Sequence, residues 1–119
     1  MKQTLIVLAV LLIAACTSAK PVSQGKGASV EVFVDDGSVQ CGPAGLAPQA
    51  TAKTLIDHGI KVSRSTCGYM DGMAFPSVCG GGDGSINVHT IAADQLQPAV
   101  DLGYTPVSKL PSGYIETCD

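Results

Sequence analysis

From Ser29 to Asp35 the chain places Val30, Val32 and Val34 on every second position, with Glu31, Phe33 and Asp35 between them. A period of two is the mark of a strand with one buried face. The period then changes. Pro48 suits the first turn of a helix, Ala52, Leu55 and Ile56 follow at helical spacing, and Gly59 is placed to stop it. Ile60, Val62 and Arg64 alternate with Lys61 and Ser63, which predicts a second strand. The same order of signals then returns. Ile86, Val88 and Thr90 alternate with Asn87 and His89, Leu96, Ala99 and Val100 have helical spacing, Gly103 stops the helix, and Tyr104 to Lys109 reads as a strand. Pro98 falls inside the second helical pattern, so that helix is expected to be short or to start late. Leu110 to Cys118 holds a Pro-Ser-Gly turn, then a stretch from Gly113 to Thr117 that predicts a fifth, edge strand.

The two halves align in register. Asp57-His58-Gly59-Ile60 matches Asp101-Leu102-Gly103-Tyr104, Val62-Ser63-Arg64 matches Val107-Ser108-Lys109, and Gly68-Tyr69-Met70 matches Gly113-Tyr114-Ile115. Helix, stop and strand recur in order, as a duplicated unit would require. Two consecutive βαβ units predict an α+β fold of the ferredoxin-like, split βαβ type (βαββαβ), with an extra C-terminal edge strand. Right-handed crossovers put both helices on one face of an antiparallel sheet.

Composition sharpens this picture. The chain has 119 residues, 14 Gly, no Trp, two Phe and three Tyr. A core of Val, Ile, Leu and Ala in so short a chain fits one small domain that needs covalent staples. Net charge is −3, and Lys and Arg stand singly along the sequence. Nucleic acid needs a clustered basic patch, so it is excluded as a partner, and electrostatic docking on anionic lipid is excluded on the same ground.

The first residues carry a different signal. Lys2 precedes an apolar run from Leu5 to Ala15, a length that suits an export signal and is too short for a stable span. The run ends in Leu12-Ile13-Ala14-Ala15-Cys16, which resembles the bacterial lipobox. The resemblance implies diacylation of the Cys16 thiol, cleavage after Ala15 and acylation of the new amino group, with palmitate-type chains anchoring the protein stably. Thr17, in place of an aspartate, implies the outer membrane and a domain facing the periplasm. The expected organisation is a signal peptide (1–15), a lipidated flexible tether (16–28) rich in small and polar residues, and a folded domain (29–119).

Of five cysteines, lipidation of Cys16 leaves Cys41, Cys67, Cys79 and Cys118, an even set for an oxidising compartment. The predicted topology gathers these at one end of the domain. Three pairings are open, and the favoured one joins Cys67 to Cys79 and Cys41 to Cys118.

Candidate chemistry is sparse. Cys41-Gly42-Pro43-Ala44 resembles a thioredoxin active site whose second cysteine is alanine, which gives an alternative reading as a thiol redox protein. The competing view of Cys41 is a structural half-cystine beside a Gly-Pro turn. His58 and His89 lack metal-ligand spacing, and no nucleophile motif or phosphate loop with a following helix is present. We therefore expect no catalysis, no cofactor and no metal. Two candidate binding surfaces stand out. One is the apolar loop carrying Tyr69, Met70, Met73 and Phe75. The other is the sheet face away from the helices, expected to carry Phe33, Lys61, Ser63, Asn87 and His89.

A βαββαβ domain of this size on an envelope protein resembles the sporulation-related repeat domain, through Ala52, Leu55 and Gly59 before Ile60 to Arg64, and Leu96, Gly103 and Tyr104 before Val107. The likeness covers residues 29–110 and implies glycan-strand binding on the sheet face. The chain departs from that pattern in its four domain cysteines and its two long loops. The function expected is that of a lipid-anchored, non-catalytic envelope module that binds peptidoglycan or an envelope protein.

Overall fold

The structure is a computed structural model and describes residues 27–118. The expected signal segment, Cys16 and most of the expected tether lie outside these residues. The first strand, β1 (Ser29–Asp35), leads through a long loop to helix α1 (Pro48–Asp57) and back through β2 (Val62–Met70). A second long loop leads to β3 (Ser85–Ala92), a 3₁₀ turn, and the short helix α2 (Leu96–Asp101). Then come β4 (Thr105–Pro106), a 3₁₀ turn at Val107–Lys109, and β5 (Tyr114–Glu116). The five strands form one sheet in the order β4-β1-β3-β2-β5, with every neighbouring pair antiparallel. Leu55 of α1 and Ala99 of α2 share one buried cluster with Val32, Ile60, Ile91 and Tyr104, so both helices lie on the same face.

The internal repeat has a physical meaning. Both helices end in a Schellman motif on a left-handed glycine, Gly59 (φ 79°) and Gly103 (φ 97°). In α1 the N–H of Gly59 donates to Ile56 and that of Ile60 to Leu55; in α2 the N–H of Gly103 donates to Val100 and that of Tyr104 to Ala99. In each case the residue after the glycine, Ile60 or Tyr104, drops straight into the core. Pro48 and Pro98 both sit in a first helical turn, where a missing N–H costs nothing.

Three strand expectations are corrected. The strand predicted over Tyr104–Lys109 has only two residues in the ladder, because Pro106 cannot donate to it. The second strand is longer than expected, nine residues, which puts Cys67 in its interior and not at its end. A bulge at Ser63, between Val62 and Arg64, shifts the alternation. Val62 faces the helices, while Arg64, Thr66 and Gly68 face away from them.

The fifth strand lies where the sequence suggested, at an edge, but runs antiparallel to β2 and so heads away from the loop end. Cys118 therefore arrives beside the middle of β2, where the N–H of Thr117 donates to the carbonyl of Cys67 at 2.9 Å. This overturns the favoured cysteine pairing. The bonds are Cys67–Cys118, joining β2 to the end of β5, and Cys41–Cys79, joining the two long loops.

The face away from the helices is closed as well. Ile86 and Val88 point to that side, yet both are fully buried. The ring of Tyr114 lies across β2 at Gly68, where an added Cβ would come within 2.7 Å of the ring, and its hydroxyl donates to Glu31 on β1 at 2.6 Å. The Tyr114 ring, reaching from β5 to Glu31 on β1, lies across this second face. Gly68 is thus required by close approach, not by its backbone angles. Gly68→Val is expected to cost about 1–3 kcal/mol through overpacking, measured by urea unfolding; an unchanged midpoint would mean the ring does not seat there.

Candidate functional site

His89 was expected on the face away from the helices. It pairs with Val32 across the β1–β3 ladder and shares Val32's side, so it faces the helices. Its relative exposure is 0%. Nε2 stands 2.8 Å from Thr51 Oγ1 of α1, and Nδ1 stands 2.7 Å from Ser65 Oγ of β2. Thr51 Oγ1 donates to the carbonyl of Pro48 at 3.2 Å, so it accepts from Nε2–H while the Ser65 hydroxyl donates to Nδ1. This arrangement satisfies a neutral imidazole on both sides. Tyr104 closes the site, its ring edge-on to His89 at 6.0 Å and its hydroxyl donating to the Thr51 carbonyl at 2.5 Å. Burial pushes the His89 pKa down to about 4, and pushes that of Tyr104 up. A histidine this enclosed has no access to a ligand. It is a structural node.

Asn87 is corrected in the same way. It faces the helices, is buried, and donates from Nδ2 to the Leu46 carbonyl at 2.9 Å, fixing the chain just before α1. Its Oδ1 has no partner. The reason for both errors is that β3 is covered on its two faces, so apolar alternation in Ile86, Val88 and Thr90 does not tell inside from outside. Phe33 does face away from the helices, opposite Val88, and is half-buried. Lys61 precedes β2, and Ser63 is the bulged residue; both border a shallow groove with Gly27, Ala28, Ser29, Ile91 and Ala92.

What the far face does carry is a polar network that sequence inspection missed. Glu116 accepts from Thr66 Oγ1 at 2.8 Å and from the Arg64 guanidinium. These contacts hold its carboxyl below the usual range, the Thr66 hydrogen bond foremost. Burial and the Glu31 carboxylate together push the Tyr114 hydroxyl up to about 12, so it remains a donor. The Arg64–Glu116 pair is largely exposed, and such pairs contribute little energy. Its effect is to fix the edge strand in place. The one sequence signal for this network was the recurrence of Gly68-Tyr69 as Gly113-Tyr114.

The residues of the apolar loop are not brought together on one surface. Met70 lies opposite Tyr114 in the ladder, on the far face. Tyr69 and Phe75 pack edge to face at 6.3 Å, over Gly84, where a Cβ would come within 2.6 Å of the Phe75 ring and 3.1 Å of the Tyr69 ring. Met73 is exposed, together with Val39, Leu46 and Val78 from the two long loops.

Those loops are clasped by Cys41–Cys79 and by Gln40. The Gln40 backbone N–H donates to Gly81 and its carbonyl accepts from Gly80, both at 2.9 Å. Its side chain donates to Pro76 and Gly82 and accepts from the Val78 N–H. Nearby, Ser38 Oγ lies 2.6 Å from Asp36 and 2.8 Å from Asp83, and the Ser85 N–H and this hydroxyl lower the Asp83 pKa. Cys41 itself is the one non-glycine residue with positive φ, 63°, among the described residues. It is bonded, and α1 begins only at Pro48. No helix N-terminus therefore stands at its sulfur, as the thioredoxin-like motif would need.

Compared with protein-family models, curated proteins and solved structures, the chain matches none. Function is therefore read from its own residues. Among the described residues, no group of three or more His, Cys, Asp or Glu is placed to hold a metal ion, and no helix is long and apolar enough to cross a membrane. Exposed apolar side chains are carried by the clasped loops, at Val39, Leu46, Met73 and Val78, and singly elsewhere, at Ile56, Val100 and Ile115.

His89 makes stability depend on pH. An unfolded chain takes up a proton at histidine's ordinary value of 6.5, whereas the fold refuses it down to about 4. The stabilisation is complete above pH 6.5 and is lost as pH falls toward 4, by about 3 kcal/mol in all. Urea midpoints are expected to fall over that range in the wild-type chain and to fall less steeply in His89→Gln. Parallel slopes would mean that His89 is not the responsible group.

Proposed function

We propose that this chain is a lipid-anchored lipoprotein of the bacterial envelope whose folded part is a non-catalytic docking module facing the periplasm. Cysteine pairing carries the proposal. Five cysteines are present, four of them join in two intramolecular bonds, and the remaining one is Cys16, at the position where a lipobox carries its acyl chains. Cys41 is bonded to Cys79 and stands seven residues before α1, which favours a binding role over a thioredoxin-like one. The strand order, with both helices on one side, supports a ferredoxin-like fold with an added edge strand.

The first strand separates the tether from the clasped loops. The chain enters the domain at Ser29, and the clasped loops lie at the opposite end of β1, about 20 Å along. On a domain tethered through Cys16, Met73, Val78, Val39 and Leu46 are carried at the end farthest from the attachment, where the cell wall or a periplasmic protein can reach them. Small exposed apolar groups on a rigid, cross-linked frame suit docking without loss of loop entropy.

Palmitate labelling and membrane fractionation test the anchor. Cys16→Ala is expected to abolish labelling and move the protein to the soluble fraction, and labelling that persists in that variant would sink the proposal. For the docking end, Met73→Lys with Val78→Lys is expected to weaken retention on purified sacculi or envelope extract by about tenfold or more, as loss of a contact centre does.

A further inference from the structure

The two disulfides differ in kind. Cys67 and Cys118 are half-buried, and their bond lies beside the β2–β5 ladder, where the Thr117 N–H already holds the two segments together. Opening it would free the end of β5, the three-residue strand that carries Tyr114 against Glu31. Cys41 and Cys79 are both exposed and belong to loops, not to the sheet. Each is followed by glycine, Gly42 and Gly80, so no neighbouring side chain on that side shields the sulfurs. Cys41 also carries a left-handed backbone, held by the turn in which the N–H of Gly42 donates to Val39.

What the loops would do without their bond is equally visible. Gln40 spans both of them with backbone hydrogen bonds to Gly80 and Gly81 and side-chain bonds to Pro76, Val78 and Gly82. Val39 bridges to Gly82 as well. These contacts do not involve sulfur. Opening the bond therefore leaves the loops adjacent and the two thiols close together, ready to re-form it.

We infer that Cys41–Cys79 is a reversible thiol-exchange site, opened by an external dithiol and closed by exchange with an external disulfide while the domain stays folded, and that Cys67–Cys118 is a permanent staple. The chemistry balances with one dithiol. Its thiolate attacks one sulfur of the bond, forming a mixed disulfide and releasing the other cysteine as a thiolate. The dithiol's second thiolate then attacks its own mixed-disulfide sulfur and expels the remaining cysteine. The dithiol ends as an intramolecular disulfide, and Cys41 and Cys79 end as thiols after each takes up a proton. This differs from a thioredoxin-like role, because the bond is the substrate of the exchange and no low-pKa cysteine is required. Opening it would loosen the surface that carries Val39, Met73 and Val78, so the redox poise around the protein would set how firmly that surface is held.

The test uses the full-length protein purified from membranes, with dithiothreitol as the dithiol probe. Aliquots are quenched with N-ethylmaleimide and mapped by peptide mass spectrometry. Cys41 and Cys79 are expected to be labelled at least about tenfold faster than Cys67 and Cys118, while thermal unfolding of the half-reduced protein stays cooperative. After dithiothreitol is exchanged for oxidised glutathione, which takes up the two electrons and is released as two thiols, the bond should re-form, and more slowly in Gln40→Ala. Labelling of both pairs at comparable rates, or of Cys67 and Cys118 first, overturns the proposal. So does a Cys41→Ser, Cys79→Ser double variant that fails to fold, since the open form must itself be a folded state.

Discussion

The helix layer is joined to the sheet through one buried hydroxyl-bearing residue. Thr51 takes the Nε2–H of His89 on its side chain and the Tyr104 hydroxyl on its carbonyl. Through these two contacts it connects α1 to the central strand and to the residue that leaves α2. All three residues are buried, so none can exchange its protein partner for water, and each unmade bond would cost the desolvation of its group. Apolar contacts from Leu55, Ile91 and Ala99 supply attraction without direction. The polar contacts supply direction, fixing where along β3 the first helix sits. A neutral imidazole between two hydroxyls is well suited to this because it donates on one side and accepts on the other.

A core of small aliphatic residues is not enough by itself for a domain of this size. The chain adds to it in two ways. It lays the Tyr114 ring across the second face of the sheet, and it cross-links loops and edge separately. By the chain-entropy account each bond contributes roughly 4 kcal/mol for the spans of 38 and 51 residues that they close. The Tyr114–Glu31 hydrogen bond and Cys67–Cys118 act on the same short strand. β5 has only three residues, too few to stay paired on backbone bonds alone.

Much of the frame was legible in the sequence, for identifiable reasons. The alternation of Val30, Val32 and Val34 works because β1 buries one face more deeply than the other. The two helix ends were legible because a Schellman motif demands a glycine followed by a core residue, and Gly59-Ile60 and Gly103-Tyr104 both meet that demand. Pro106 in a ladder could have announced the short fourth strand. The side of β3 could not be read, because both of its faces are covered. A one-residue bulge at Ser63 inverted the rest of β2, and no local signal marks such a bulge. The cysteine pairing was misread for a separate reason: with β2 expected to end at Cys67 and β5 expected to run back toward the loop end, Cys67 seemed to lie near Cys79. Gln40 gave no signal at all, since its importance comes entirely from the loop placed opposite it.

The order of the cross-links along the chain has a consequence of its own. Cys41 joins Cys79 and Cys67 joins Cys118, so the two closed rings interlock in sequence: the second opens before the first has ended. A protease that cuts one peptide bond anywhere between Cys41 and Cys118 must therefore leave both fragments attached, whichever bond it chooses. Side-by-side rings would leave the stretch between them as a place where one cleavage separates the halves. Here there is none, and a nicked molecule keeps its mass and its far end.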